Sequence, residues 1–267
     1  MINHLITAIQ ASLKAGKAIM QVYDTVFDVE YKNDKSPLTE ADKQANDIIN
    51  SYLIPTQIPI ISEENKEIDF SIRKMWEHCW IVDPVDGTKE FVKRNGEFTV
   101  NIALIENGKP QLGVIYVPET KELYYAIVAD KKAYKVQLSS HDEVMDTVFE
   151  KAETIQPRTN DSNTIKVVGS RSHMSQETED FIENLKSNGK FVEIISKGSS
   201  LKFCLIAEGK ADVYPRFAPT MEWDTAAGQA ICNAVGVEVI SSNTNQPLLY
   251  NKEPLLNPWF IVSKNGR

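Results

Sequence analysis

The chain has 267 residues, 42% of them hydrophobic and 25% charged, a composition that supports one large core or two smaller ones in contact and excludes disorder. A formal net charge of −8 excludes a surface built to coat nucleic acid, though not an anionic small ligand, because a bound metal can invert the local field. The three cysteines, Cys79, Cys204 and Cys232, follow no pairing or metal-ligand pattern, no leader-like start is seen and no apolar run reaches spanning length, so the expected location is the cytoplasm.

From residue 2 to 24, Ile2, Ile6, Ile9, Leu13, Gly16, Met20 and Tyr23 recur at spacings of three and four, which predicts an amphipathic helix with Gly16 marking a close approach. Pro37 keeps the next segment extended. Thr39 then reads as a helix N-cap with Asp42 at the third helical position, and Ala41, Ala45, Ile48, Ile49 and Leu53 supply the buried face. Capping alone accounts for Asp42 at this point. Residues 58–61 read as a short strand followed by Ser62-Glu63-Glu64-Asn65, either a carboxylate delivered at a strand end or a solvated acidic loop. Residues 66–79 predict only a short helix ending near Trp76.

The segment Trp80-Ile81-Val82-Asp83-Pro84-Val85-Asp86-Gly87-Thr88-Lys89-Glu90-Phe91 carries the clearest chemistry. Residues 80–82 read as the end of a buried strand. Pro84 and Gly87 then shape a rigid turn that aims Asp83, the Val85 carbonyl, Asp86 and the Thr88 hydroxyl at one small volume. Hard divalent cations take oxygen ligands of this mixed kind. An ordinary surface turn competes with that reading, against the apolar strand before it and the threonine after it.

Residues 95–117 alternate about a Glu-Asn-Gly-Lys turn and predict a β-hairpin; a second hairpin follows over 122–136. Residues 137–163 turn polar, and a boundary is placed there, between an α+β half (1–158) and an α/β half (159–267). In the second half strands alternate with helices: strand 165–168, helix 175–187, strand 191–195, helix 200–208, strand 211–214. Gly198, Ser199 and Ser200 open a helix, where free N–H groups suit an anion, although Ser199 equally suits a cap; Lys202 in the first turn is more natural beside an anion. Asp224 stands where an N-cap belongs, with Gly236 placed to end that helix, and Ala226, Ala227 and Gly228 let its start press on a neighbour.

Asp42, Glu63, Asp86 and Asp224 each have a structural explanation, but together they sit at element ends, where active sites collect. Asp83, Asp86, Glu63 and Asp224 in one place would bind two hard cations and repel one another too strongly without them. Two such cations activate water and grip a phosphoryl group. No Gly-x-x-x-x-Gly-Lys-Ser/Thr loop is present.

The set Ser62-Glu63-Glu64, Asp83-Pro84-Val85-Asp86-Gly87-Thr88 and Trp223-Asp224-Thr225-Ala226-Ala227-Gly228 resembles the inositol monophosphatase superfamily of magnesium-dependent, lithium-sensitive phosphatases. Within it, residues 95–104, 198–204 and 214–217 resemble the bacterial 3′(2′),5′-bisphosphate nucleotidases. The resemblance covers nearly the whole chain and is weakest over 66–79 and 137–163. It implies a layered αβαβα sandwich with two or more magnesium ions per site. Glu63, Asp83 and the Val85 carbonyl would hold one ion; Asp83, Asp86 and Asp224 would hold a second. Thr88, hydrogen-bonded to Asp42, would help deprotonate the attacking water. Glu63, Val85, Asp86, Gly87, Thr88, Ser170, His173, Gly198, Lys202 and Asp224 match positions that contact substrate. It also implies a small-molecule nucleotide partner, and, for one member of the branch, attachment to the cytoplasmic face of the inner membrane. The expected reaction is removal of the 3′-phosphate of adenosine 3′,5′-bisphosphate, with action on its 3′-phosphoadenylyl sulfate analogue as an extension. A same-fold phosphatase of inositol or sugar phosphates is the alternative, and a non-catalytic metal-dependent sensor a third.

Overall fold

The computed structural model describes residues 1–27, 29–31, 37–159, 163–169 and 175–264. Chain order runs α1 (Ile2–Tyr23), β1 (Val29–Tyr31), β2 (Pro37–Thr39), α2 (Glu40–Leu53), β3 (Ile60–Ser62), α3 (Phe70–Arg73), β4 (His78–Asp86), α4 (Thr88–Val92), β5 (Thr99–Glu106), β6 (Lys109–Val117), β7 (Glu122–Ile127) and β8 (Lys132–Gln137). It continues α5 (Met145–Glu150), β9 (Glu153–Ile155), β10 (Thr164–Gly169), α6 (Gln176–Ser187), β11 (Phe191–Ser196), α7 (Leu201–Ala207), β12 (Val213–Arg216), α8 (Ala226–Ala234), β13 (Glu238–Ser241) and β14 (Phe260–Ser263). Strands β3 to β9 form a seven-stranded sheet in sequence order, antiparallel except for the β3–β4 pair. Strands β10 to β14 form a five-stranded sheet of order β11-β10-β12-β14-β13.

Alternation along the strands divides the core into layers. Val100, Ile102, Leu104, Leu112, Val114 and Tyr116 face α1 and α2, whereas Ala103, Ile105, Ile115 and Val117 face α7, α8 and the five-stranded sheet beyond them. Ile182 of α6 packs on Val167 and Val213 across the far side of that second sheet. The result is the five-layer αβαβα sandwich expected from the sequence. Each fully buried Ile, Leu or Phe contributes about 1.5–3 kcal/mol to holding these layers together. Among the described residues, no helix is long and apolar enough to cross a membrane.

Two departures from the sequence reading matter. Strand β4 does not end at Val82: it runs on to Asp86, pairing Asp83 with Asn101 and Asp86 with Thr99, so one extra residue is absorbed as a bulge rather than as a turn. A bulge leaves one residue unpaired, which suits Pro84, having no N–H to offer. Residues 137–163 are not merely a polar connection, because α5 and β9 lie there and β9 extends the large sheet beside β8. Both are too short to leave a periodic signal.

Close approaches set the spacing of the middle layers. The side chain a Cβ at Gly16 would meet is Tyr116, at 2.4 Å, as the sequence led us to expect. At Gly113 of β6 a Cβ would lie 2.4 Å from the Ala227 carbonyl oxygen and 2.8 Å from Ala230 Cβ, so sheet and α8 touch backbone to backbone. Backbone cannot rotate aside as a long side chain can. Gly113→Ala is therefore expected to cost about 1–3 kcal/mol, read as a lower urea midpoint at unchanged slope; an unaltered midpoint would show that the sheet and α8 part freely.

Candidate active site

The bulge in β4 presents Asp83 and Asp86 on one stretch, and the 3₁₀ turn Glu222–Asp224 before α8 brings Asp224 to them. One carboxylate oxygen of each lies within 4.8 Å of the others. Asp83 is buried, and its Oδ1 accepts the Val85 N–H at 3.1 Å. Asp86 Oδ2 accepts from Ser200 Oγ (2.7 Å) and Asn101 Nδ2 (3.2 Å). Asp224 does not cap α8, as its position suggested: its Oδ2 accepts the Met221 N–H at 2.8 Å, closing the turn, and Thr225 takes the cap position. Burial, then the charges of Glu63, Asp86 and Asp224, hold the Asp83 carboxyl well above the usual range. Burial and then Asp86 push Asp224 up to about 7.

Asp42 serves two partners with its two oxygens. Oδ2 accepts the Thr39 N–H (2.8 Å) and hydroxyl (2.6 Å) at the start of α2, while Oδ1 accepts the Thr88 hydroxyl at 3.1 Å. The capping reading and the pairing with Thr88 hold together. Burial raises the Asp42 carboxyl, and the bonds from Thr39 and Thr88 pull it back. The Val85 carbonyl lies 3.2 Å from the same Thr88 hydroxyl. Glu63 follows β3 and stands outside the 4.8 Å set, on a separate cavity of about 130 Å³ with Ser62, Arg73 and Trp223. Its charge still raises Asp83, Asp42 and Asp224. Its loop is held from behind, because Ser62 Oγ donates to Asn46 Oδ1 (2.8 Å) and Asn46 Nδ2 to Asn65 Oδ1 (2.9 Å).

A cavity of about 470 Å³ opens beside Asp86, Gly87 and Asp224, and Lys89, Lys93, Lys197, Lys202 and Arg216 are among its walls. Gly87 takes φ +95°, and a Cβ there would fall 2.1 Å from Ser199 Oγ. The loop before α7 differs from its expected form. Ser199 does not cap the helix: its Oγ donates to the Glu97 carbonyl (2.5 Å), with the Asp86 carbonyl also within reach (2.8 Å). The Gly198 N–H, read as a donor to an anion, is bound to Glu97 Oε2 at 2.8 Å. Lys202 is buried, donates to the carbonyls of Ser199 (2.7 Å) and Lys197 (3.4 Å), and burial pulls its ammonium down to about 8. Ser170 and His173 lie outside the described residues. Ser200, read from the sequence only as part of a helix start suited to an anion, instead has an Oγ that accepts from Asn101 Nδ2 at 2.8 Å and reaches both Asp86 Oδ2 and the Asp224 carbonyl. Arg216, which the sequence offered only as a member of the 214–217 motif with no role of its own, has a buried Nε with no partner among the described residues.

The donor set fits divalent metal. It is all oxygen, it converges, and its Asp83 and Asp224 carboxylates are driven toward protonation in the bare protein, a cost that a hard cation relieves.

The inositol monophosphatase family model matches residues 2–264. The chain is 44% identical over 258 residues to the 3′(2′),5′-bisphosphate nucleotidase CysQ of Salmonella typhimurium, covering 95% of this chain and 97% of that one. It is 34% identical over 253 residues to the CysQ nucleotidase of Haemophilus influenzae, covering 93% and 88%. Among solved structures, CysQ from Bacteroides thetaiotaomicron, a bacterial member of the inositol monophosphatase family, matches with a TM-score of 0.88 at 51% identity over 98% of both chains. A Thermotoga maritima IMPase matches with a TM-score of 0.72 at 23% identity over 98% of this chain and 92% of that one, a likeness of fold.

The raised carboxyls make a signed prediction about metal and pH. Asp224 moves from 3.8 to about 7 on folding, so its contribution to stability is full below about 4 and is lost as pH rises toward 7; Asp83 acts in the same direction. A cation that neutralises them should raise Tm more at pH 7.5 than at pH 5. Melting curves in chelator and in excess magnesium at both pH values check this; an equal gain at both would place the ion elsewhere.

Proposed function

The chain belongs to the inositol monophosphatase family, and on that premise we propose that it is a 3′(2′),5′-bisphosphate nucleotidase, a phosphoric monoester hydrolase that releases the 3′-phosphate of adenosine 3′,5′-bisphosphate to leave AMP, as sulfate assimilation requires. The observation that carries this reading is the cavity that joins a carboxylate end, at Asp86 and Asp224, to a wall of Lys89, Lys93, Lys197, Lys202 and Arg216. A monophosphate needs only the first. A substrate with a phosphate on each side of its ribose needs both, and the buried Arg216 Nε suits the phosphate that is not cleaved.

The family is metal-dependent, and two magnesium ions are the proposed cofactor. Asp83, Asp86 and Asp224 would hold one and Glu63, Asp83 and the Val85 carbonyl the other, the N-terminal half (1–158) supplying all but Asp224. Bound there, magnesium neutralises charge on the transferred phosphoryl group. The chain's own contribution is to orient and to move a proton. Thr88 donates to Asp42 Oδ1, which leaves the hydroxyl oxygen open to accept a proton from the attacking water while Asp42 takes the hydroxyl proton. Asp42 is held in that orientation by Thr39, so the carboxylate does not turn away. Lys202, fixed by two carbonyls, and Arg216 meet the remaining phosphate.

Two measurements check the reading. A phosphate-release panel of adenosine 3′,5′-bisphosphate, inositol 1-phosphate and fructose 1,6-bisphosphate, with and without magnesium, is expected to favour the first and to need the metal; preference for inositol 1-phosphate would hand the site to the same-fold alternative. Thr88→Ala and Asp42→Asn should each lower kcat by ~10²–10⁴-fold, and the double variant should lose little more than either one. Additive losses, or an Asp42→Asn variant that only melts earlier, would leave Asp42 a cap.

A further inference from the structure

Glu97 lies just before β5, is 7% exposed, and stands apart from the cluster of Asp83, Asp86 and Asp224. Its Oε2 accepts the Gly198 N–H at 2.8 Å and its Oε1 lies 3.3 Å from Lys197 Nζ. Its main-chain carbonyl accepts from Ser199 Oγ at 2.5 Å. One residue of the N-terminal half thus holds three consecutive residues of the loop that leads into α7. The contact is tight as well as polar: a Cβ at Gly198 would lie 3.0 Å from both Glu97 Cβ and Glu97 O. The carbonyls of Lys197 and Ser199 in that loop are the two groups that fix the Lys202 ammonium. A chain of contacts therefore runs from the Glu97 carboxylate through the loop to a cation on the cavity wall, without Glu97 facing the cavity itself.

We propose that Glu97 is a positioning and specificity-determining residue, which sets the loop 197–199, and through it Lys202, for the phosphate that is not cleaved. The role rests on the bisphosphate reading above. It separates from two simpler ones by chemistry. If Glu97 acted only through its charge, removing that charge would strengthen anion binding, and Ala and Gln would act alike. If it were only a brace between layers, as Glu208 at the end of α7 is with Lys135 of β8, every substrate would suffer together. A positioning carboxylate is replaced well by Gln, which keeps an acceptor for the Gly198 N–H, and poorly by Ala, which orphans it.

The test compares adenosine 3′,5′-bisphosphate with 3′-AMP, which carries the same scissile phosphate and lacks the second one. For Glu97→Ala the ratio of kcat/KM on the two substrates is expected to fall about tenfold, through KM for the bisphosphate, while Glu97→Gln stays within about threefold of wild type. Melting curves of both variants confirm that they are folded. A ratio that rises equally in both variants, or that does not change while both rates fall, overturns the role. A wild-type chain that does not prefer the bisphosphate overturns the substrate reading, and the role with it, so the two failures are told apart.

Discussion

Three carboxylates held within 4.8 Å of one another, one buried and two half-buried, are the constraint to which the rest of the molecule answers. Like charges about 4 Å apart repel by about 4 kcal/mol at the effective permittivity near a protein surface, enough to splay any loose segment. Asp83 and Asp86 resist because the bulged strand that carries them is paired to β3 up to Val82 on one side and to β5 through Asp86 on the other. Asp224 resists because its turn is fastened at several points. Glu222, fully buried, accepts from Lys252 Nζ (2.8 Å) and the Asn251 N–H (2.6 Å), and Asn257 Nδ2 donates to the Met221 carbonyl (2.7 Å). The C-terminal loop that supplies these partners lies remote in sequence from the acids and still fixes where one of them stands.

The meeting of the two sheets follows from the same constraint. Asp86 ends β4 and Asp224 ends the turn before α8, and the buried Ser200 hydroxyl sits between them with Asn101 behind it. A polar group there must be satisfied or it costs more than it gives. That requirement fixes the start of α7 against β5, while Gly113 lets α8 approach β6 closely enough to deliver Asp224. Small residues and hydrogen bonds thus act at the same seam. The first set the distance and the second set the direction.

Much of this was legible in the sequence, and the gaps have physical causes. The period of the helices and the alternation of β5 to β8 gave the elements, since burial writes a repeating pattern, while their layering came from the family resemblance. Asp42, Asp83, Asp86, Thr88 and Asp224 were legible from their motifs. What the sequence could not show was the partner of each backbone group. The Gly198 N–H was read as open to an anion because it stands at a helix start, where N–H groups are free, yet Glu97, about a hundred residues away, occupies it. Ser200 looked like one of two interchangeable helix-start serines, whereas the fold gives Ser199 and Ser200 different carbonyls and carboxylates. Asp224 looked like a cap because capping depends on one residue of register, and a 3₁₀ turn shifted it. The bulge in β4 passed for a turn because Asp, Pro and Gly suit both.

The basic wall of the cavity combines two kinds of cation, and their physics differs. A guanidinium is delocalised and weakly hydrated, so a desolvated Nε is tolerable at Arg216. Lys202 has no such protection. Burial pulls its ammonium down to about 8, close enough to neutral pH that its charge depends on what is nearby. Two carbonyls and the field of Asp86 support the charged form, and Tyr214 offers its ring face 5.6 Å from Nζ. The support is geometric: displace the carbonyls and the ammonium loses the donors' counterparts that justify its burial. A surface lysine would need none of this and would discriminate little, since it could follow a phosphate anywhere within reach. A lysine that its loop holds in one place recognises an anion in one place, and that place is set by the same contacts that tie the loop to the carboxylate strand.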